Sequence, residues 1–151
     1  MLLRAEGLRK DFIRQRAGTN VFTAVQPLDF ELPGGTLTEV TGRSGSGKST
    51  LLNLLAGLLR PTAGKVWLGD TDLYSLPDGK LSELRNRRIA VIPQGQTGLS
   101  ALTVAENVLL PTRLWGRGAP REEALRLLEA VGIGDLPRSE KKSTRIYDNR
   151  Y

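Results

Sequence analysis

The sequence predicts an α/β fold, and three observations predict it. Short apolar runs of strand length, at residues 66–68 and 89–92, alternate with segments of helical composition. A loop rich in glycine and serine, residues 42–47, separates a predicted strand from a predicted helix. The 151 residues are 39% hydrophobic and 25% charged, which is typical of one folded domain and not of a disordered chain.

The first sixty residues predict strand, turn, strand, loop and helix in that order. Residues 28–32 alternate apolar and polar side chains, as one face of a strand does. The segment 33–35, Pro-Gly-Gly, predicts a turn, and residues 37–40 predict a second strand that leads into the glycine-rich loop. Residues 48–59 have helical composition, and Pro61 forbids continuation of that helix.

The middle of the chain predicts two strands and a helix between them. The apolar run at residues 66–68 has strand length, and a helix is predicted at residues 79–87. Residues 89–92 suit a buried parallel strand because all four are apolar. A cluster of basic residues near the end of the helix is interpreted as a solvated helix face without a role: Arg85, Arg87 and Arg88.

Residues 99–136 predict a mainly helical segment. Thr103 and Glu106 have the spacing of a capping box, so a helix is predicted to begin at Thr103. A further helix is predicted to begin near Pro120 and to stop at Gly132. Its apolar residues recur at helical spacing: Ala124, Leu127, Leu128 and Val131.

The composition excludes several kinds of chemistry. The chain has no Cys and no His, which excludes a disulfide framework, a thiol nucleophile, Cys-ligated zinc and catalysis by imidazole. The longest apolar stretch, residues 51–59, is about half of the roughly 20 residues that span a bilayer. The start of the chain also lacks a signal-peptide pattern. We therefore expect a cytoplasmic protein that does not insert into the membrane.

The net charge of +6 is concentrated at one end of the chain. Residues 138–151 carry five basic and two acidic groups, whereas the rest of the chain is only mildly basic. Only 5% of the residues are aromatic, so the sequence lacks the basic face with aromatic platforms that is typical of nucleic-acid binding. We expect no nucleic-acid partner.

The glycine-rich loop matches the pattern G-x-x-x-x-G-K-[ST] of a phosphate-binding loop, or P-loop. Glycines let successive backbone N–H groups point at phosphate oxygens, and the following helix adds its positive N-terminal end. Lys48 is expected to reach the β and γ phosphates, and the Ser49 hydroxyl to ligate Mg²⁺. The predicted nucleotide-binding residues are Gly42, Ser44, Gly45, Ser46, Gly47, Lys48, Ser49 and Thr50.

Several ordered motifs around the loop resemble the nucleotide-binding domain of ABC transporters. A Leu-rich helix, the segment Arg-Pro-Thr-Ala-Gly at residues 60–64, and an apolar strand follow the loop in that family's order. Residues 91–94, Val-Ile-Pro-Gln, and residues 102–108 look like the family's glutamine loop and the first helix of its helical subdomain. The resemblance covers roughly residues 2–137 and is strongest to the lipoprotein-releasing and macrolide-export type.

This resemblance implies a P-loop NTPase core with an antiparallel β subdomain and the start of a helical subdomain, at residues 99–137. It implies that Gln94 contacts Mg²⁺ and the attacking water, where the alternative is an ordinary amide in a turn. Phe12 lies where the family stacks an aromatic ring on adenine, and the alternative is a core aromatic residue. The implied cofactors are ATP and Mg²⁺.

Several family segments are expected after residue 137 and do not occur there. They are the signature Leu-Ser-Gly-Gly-Gln, the strand that ends in a Mg²⁺-binding Asp and the catalytic Glu, and the switch His. We expect residues 1–137 to form a partial ATP-binding domain, incomplete at the C-terminus, and residues 138–151 to be a divergent basic tail. Truncation, a shifted reading frame and genuine divergence remain open as its origin.

The expected function is that of an ATP-binding subunit, which couples ATP binding and hydrolysis to transport by a membrane permease. It would pair with a second ATP-binding subunit and lie on the inner face of the cell membrane. We expect the isolated chain to bind Mg-ATP and to hydrolyse it poorly. Two alternatives remain: a non-hydrolysing remnant or regulatory nucleotide-binding module, and a P-loop kinase that acts on a small molecule.

Overall fold

The chain is described by a computed structural model that covers residues 1–15, 19–95, 98–114, 116 and 118–134. It divides into two compact units, the first being Met1–Val91 and the second beginning at Ile92. The predicted tail, residues 138–151, and the last residues of the predicted helical subdomain lie outside the described residues. The predicted boundary at residue 137 therefore stays a prediction.

The first unit contains an antiparallel sheet, which in the described residues has four strands in the order β2-β1-β3-β4. In chain order they are β1 (Leu3–Gln15), β2 (Thr19–Leu32), β3 (Ala63–Leu68) and β4 (Thr71–Asp72). Residues 28–32 alternate between half-buried and exposed positions within β2, which confirms the strand predicted there. β2 is an edge strand of this sheet.

In the described residues of the first unit, two helices and a short 3₁₀ helix accompany the sheet. They are α1 (Lys48–Leu55), the 3₁₀ helix Leu73–Ser75, and α2 (Asp78–Arg88), which confirms the helix predicted at residues 79–87. One apolar core joins the sheet to these helices, and its largest fully buried side chains are Leu8, Leu54, Val66 and Leu73. This core fixes α1, and with it the loop that precedes α1, on the sheet.

Helix α1 ends earlier than its composition predicts. It stops at Leu55 and not at Leu59, because Gly57 adopts a left-handed φ of 69° that a helix does not continue. An added Cβ at Gly57 would also approach Leu81 Cδ1 to 3.1 Å. The end of α1 is thus determined by Gly57 and its packing on α2, and it comes several residues before Pro61.

The second unit contains α3 (Val104–Leu114) and α4 (Arg121–Ala130) among its described residues. The predicted capping box is confirmed, because the Thr103 N–H donates to Glu106 Oε2 at 2.8 Å and the Glu106 N–H donates to Thr103 Oγ1 at 3.3 Å. The backbone N–H of Thr103 is the first cause that holds the pKa of Glu106 below its usual value. Gly132, at a φ of 77°, ends α4 as predicted.

The predicted strands at residues 37–40 and 89–92 do not form. Neither segment belongs to the described sheet, Leu37 is fully exposed, and Ile92 is 97% exposed. A central parallel strand is stable only when neighbouring strands satisfy its backbone N–H and C=O groups and cover both of its faces. In the described residues no strand lies beside either segment, so their apolar sequence alone does not make them strands.

Two finer predictions about helix faces are also wrong in part. Arg85 is not simply solvated, because its guanidinium donates to the Gly57 carbonyl oxygen at 2.5 Å and so binds the end of α1. On α4, Ala124 and Leu128 are buried against α3, whereas Leu127 and Val131 are largely exposed. The buried face of α4 is therefore narrower than the apolar periodicity predicts.

We predict that Tyr74 makes the free energy of unfolding depend on pH in the alkaline range. Its hydroxyl contacts the carbonyl oxygens of Leu54 and Leu59, the latter at 2.7 Å, and burial raises the pKa of Tyr74 from 10.0 to about 12. Because the folded pKa lies above the unfolded value, this contribution is complete below pH 10 and is lost as the pH rises to about 12. Tyr74→Phe should lower the free energy of unfolding at pH 7 by about 1 kcal/mol.

Urea unfolding of wild type and Tyr74→Phe at pH 8, 10 and 12 measures this effect as a difference between the two chains. Other groups that titrate in this range contribute equally to both chains. We expect the difference in free energy of unfolding between wild type and Tyr74→Phe to become smaller above pH 10. A gap that stays constant from pH 8 to pH 12 would contradict the assignment.

Candidate functional site

The phosphate loop leads into α1 through a glycine cap. Gly47 is the N-cap of α1, with a φ of 90°, and no side chain caps the first turn of this helix. The first turn contains no acidic residue. The first N–H groups of a helix have no partner within the helix, and they carry the positive end of the helix dipole. The start of α1 therefore offers backbone donors to an anion.

Gly47 is also the point at which the loop packs on the sheet. A Cβ added at Gly47 would clash with the carbonyl oxygen of Ala24 in β2. At Gly42, a Cβ would come within 2.8 Å of Ser46 Oγ. Gly47 is thus required both by its close approach to a backbone carbonyl and by its positive φ, whereas at Gly42 the φ of 152° favours glycine and the neighbouring Ser46 side chain could move.

Lys48 is folded back over the loop. Its Nζ atom donates to the carbonyl oxygens of Gly42 and Arg43, each at 2.8 Å. The ammonium group is thus held at the backbone of the loop where the motif begins. Ser49 is exposed and Thr50 is half-buried on the first turn of the helix. The structure therefore brings residues 42–50 together as one cationic, donor-rich loop.

A cavity of about 380 Å³ lies between the loop and β2. Gly45 and Ser46 line it from the loop, and residues 22–28 line it from the strand. This volume lies within the range of about 300–1,000 Å³ that is usual for small-ligand sites. The cavity belongs wholly to the first unit.

The residues of the loop suit the binding of Mg²⁺ together with a nucleotide better than the binding of a metal ion by protein side chains alone. Among the described residues no group of three Asp, Glu, His or Cys side chains could hold a metal ion. Mg²⁺ is usually bound by one or two protein oxygens together with phosphate oxygens and water. The exposed Ser49 hydroxyl at the start of α1 fits that mode of binding.

Phe12 lies on the protein surface and not in the core. It is 39% exposed on β1, and Lys10 Nζ lies 5.2 Å from its ring centroid. The interpretation as a core aromatic residue is therefore wrong, while the predicted contact with adenine stays a prediction.

The neighbouring Asp11 pairs with Thr23 across the two strands, and the hydrogen bond from the Thr23 hydroxyl is the largest cause that lowers the pKa of Asp11.

Sequence reasoning missed Phe22. This residue is paired directly with Phe12 in the antiparallel register and also lines the cavity beside the loop. Its position follows only from the register of β1 and β2, which contains three shifts between Ala5 and Asp11. The alternation of apolar and polar residues along a strand does not predict which residues of β1 and β2 lie opposite each other.

Gln94 belongs to the second unit. It lies in a bend near the start of that unit, and it is exposed. Its predicted contact with Mg²⁺ and the attacking water stays a prediction.

The glycine-capped helix, the folded-back lysine and the cavity beside them define the chain as a P-loop nucleotide-binding protein. The ABC transporter family model matches residues 25–148. The chain therefore belongs to the ABC transporter family of ATP-binding domains.

Two relatives show how similar the chain is to curated members of this family. It is 39% identical over 135 residues to the lipoprotein-releasing system ATP-binding protein LolD of Xanthomonas campestris pv. campestris, covering 88% of this chain and 55% of LolD. It is 38% identical over 136 residues to the methionine import ATP-binding protein MetN of Bradyrhizobium diazoefficiens, covering 89% of this chain and 39% of MetN. The chain thus spans about half or less of the length of these relatives.

Solved structures confirm the fold class. The dimeric ATP-binding cassette MJ0796 in a post-hydrolysis state, bound to ADP and Pi, matches with a TM-score of 0.75 and 30% identity. That match covers 84% of this chain and 56% of the cassette. A second dimeric structure of the same cassette matches with a TM-score of 0.75 over 85% of this chain. No helix in the described part of the chain is long and apolar enough to cross a membrane.

We predict that Gly47→Ala disrupts the loop. Alanine at a φ of 90° is strained, and its Cβ would clash with the Ala24 carbonyl, so the free energy of unfolding should fall by about 1–3 kcal/mol. The control is Gly79→Ala in α2, where nothing lies within 4 Å of an added Cβ. Urea unfolding of both variants checks this, with the control at or above wild-type stability. Equal stability of Gly47→Ala and wild type would contradict the packing of the loop on β2.

Proposed function

We propose that the chain binds Mg-ATP through residues 42–50 and acts as the ATP-binding part of a transporter that works with a membrane permease. The observation that supports nucleotide binding most directly is the glycine-capped start of α1 with the Lys48 ammonium beside it. Backbone donors, a helix N-terminus and a lysine together form a site for a polyphosphate. The cavity beside the loop leaves room for the rest of a nucleotide.

Each residue of the loop has a proposed role in this binding. The backbone N–H groups from Gly45 to Ser49 would donate to phosphate oxygens. Lys48 would exchange its two bonds to loop carbonyls for charge-assisted bonds to the β and γ phosphates. The Ser49 hydroxyl would ligate Mg²⁺, which when bound neutralises charge on the phosphate oxygens. Phe12 would contact the base.

The proposed partners follow from the family. The similar cassette structures are described as dimeric, and the similar relatives are named as ATP-binding proteins of lipoprotein-releasing and methionine-import systems. We propose that this chain pairs with a second ATP-binding subunit and docks on a permease at the inner face of the membrane. The transported substrate is then determined mainly by the permease.

We further propose that the 151-residue chain on its own hydrolyses ATP poorly. The segment Leu-Ser-Gly-Gly-Gln does not occur in it, and neither does a histidine. Phosphoryl transfer depends on groups that position the metal and orient the attacking water, and the loop alone does not supply all of them.

We predict that Lys48→Ala weakens binding of Mg-ATP by about 10- to 100-fold, which corresponds to the loss of hydrogen bonds from a charged donor. Isothermal titration calorimetry of the full chain with Mg-ATP measures the Kd. The matched control is Lys80→Ala, which removes the same charge from an exposed residue of α2 whose ion pair with Glu83 is 3.6 Å long. Equal Kd values for Lys48→Ala and wild type would contradict the proposed site.

The same samples test hydrolysis. Release of phosphate from Mg-ATP by wild type should not exceed that of Lys48→Ala. Turnover by the wild-type chain that Lys48→Ala abolishes would overturn the proposal of poor hydrolysis, while leaving the proposed binding site in place.

A further inference from the structure

Helix α1 is anchored in the core at the end opposite the phosphate loop. It has eight residues, which is about two turns, and its buried residues, Leu54 and Leu55, both belong to the last turn. A helix of this length is not stable in isolation, because too few hydrogen bonds follow its costly first turn. The arrangement of the first turn, where the proposed polyphosphate site lies, therefore depends on the contacts that hold the last turn.

The backbone closes this end of α1 with a left-handed turn at Gly57. The N–H of Leu58 donates to the Asn53 carbonyl oxygen at 2.9 Å. The N–H of Gly57 donates to the Leu54 carbonyl oxygen at 3.2 Å. These two bonds form a Schellman motif, in which a glycine at positive φ follows the helix. The carbonyl oxygen of Gly57 itself is left for a donor from outside α1.

Arg85 of α2 supplies this donor. Its Nη1 donates to the Gly57 carbonyl oxygen at 2.5 Å, and its Nη2 donates to Ser82 Oγ at 2.9 Å. The methylene stem of Arg85 packs on the same glycine, because a Cβ added at Gly57 would lie 3.6 Å from Arg85 Cδ. Two donors of one planar guanidinium thus join α2 to the end of α1 and fix the direction of the contact.

Arg87 on the same helix has a different environment. It pairs with Glu83 of α2 at 2.7 Å, and its side chain is 55% exposed. Arg85 instead places its positive charge at the C-terminal end of α1, where the helix dipole favours a cation. Removal of Arg85 therefore changes how α1 is held, whereas removal of Arg87 changes only the surface of α2.

We propose that Arg85 is a positioning residue of the nucleotide site, which holds α1 so that its first N–H groups keep the arrangement that binds a polyphosphate. This inference rests on the proposed binding of Mg-ATP at residues 42–50. Groups that are already held in their binding arrangement bind a ligand more tightly, because less conformational freedom is lost on binding. Arg85 acts through α1 and not by contact with the ligand.

The test measures the Kd of two ligands, Mg-ATP and Mg-tripolyphosphate, for the full chain and for Arg85→Met. Methionine keeps a stem that packs on Gly57 and removes the guanidinium. Both ligands should bind about five- to tenfold more weakly to Arg85→Met, by the same factor, because the change acts on the groups that bind phosphate. The titrations are made at a temperature at which circular dichroism shows each variant to be folded.

Two control variants separate positioning from charge and from stability. Arg87→Met removes the same charge from the exposed surface of α2. Val66→Ala removes volume from a fully buried side chain of β3, and so lowers the free energy of unfolding. Both variants should keep the wild-type Kd for both ligands. If Arg85 served stability alone, Arg85→Met would behave like Val66→Ala, with a lower free energy of unfolding and an unchanged Kd.

Wild-type Kd values for Arg85→Met would overturn the inference and leave the proposed site in place. An equal loss of binding in Arg87→Met or Val66→Ala would overturn it as well. An Arg85→Met chain that fails to fold is replaced in the same comparison by Arg85→Gln, whose amide is too short to reach the Gly57 oxygen. If wild type binds neither ligand, the proposed function fails, and this inference fails with it.

Discussion

The close approach of Gly47 to the Ala24 carbonyl oxygen is the constraint on which the phosphate loop and the start of α1 depend. It lies where an edge strand, a tight loop and the start of a helix meet, and only a residue without a Cβ fits there at a φ of 90°. Because the helix begins at that glycine, its first N–H groups are left for a ligand and are not used by a capping side chain. Leu54 and Leu55 at the other end of α1 anchor the same helix in the core.

The family's fold is thus present in this chain as its antiparallel sheet, its phosphate loop with the following helix, and a helical hairpin in the second unit. The strands predicted at residues 37–40 and 89–92 are not formed in the described structure. The proposed polyphosphate site consists of the loop and the start of α1, and the antiparallel sheet and its core support both.

The sequence correctly predicts features that are decided by residues close together in the chain. It fails for features that depend on packing against residues distant in the chain. The alternation at residues 28–32 and the capping box of Thr103 and Glu106 are decided by near neighbours, and both were right. The strand at residues 89–92 depends on partner strands, and the end of α1 depends on how Gly57 packs on α2. Within the site, the motif identified residues 42–50, whereas Phe22 depends on a register that bulges shift.

The central claim is that the backbone N–H groups at the start of α1 bind a polyphosphate, and amide hydrogen exchange measures those groups directly. Exchange followed by mass spectrometry, with and without saturating Mg-ATP, should show slower exchange in residues 44–50, with residues 121–130 of the second unit unchanged. Protection confined to the loop, the start of α1 and the facing part of β2 is the predicted result. Unchanged exchange in residues 44–50 at saturating Mg-ATP would contradict the account.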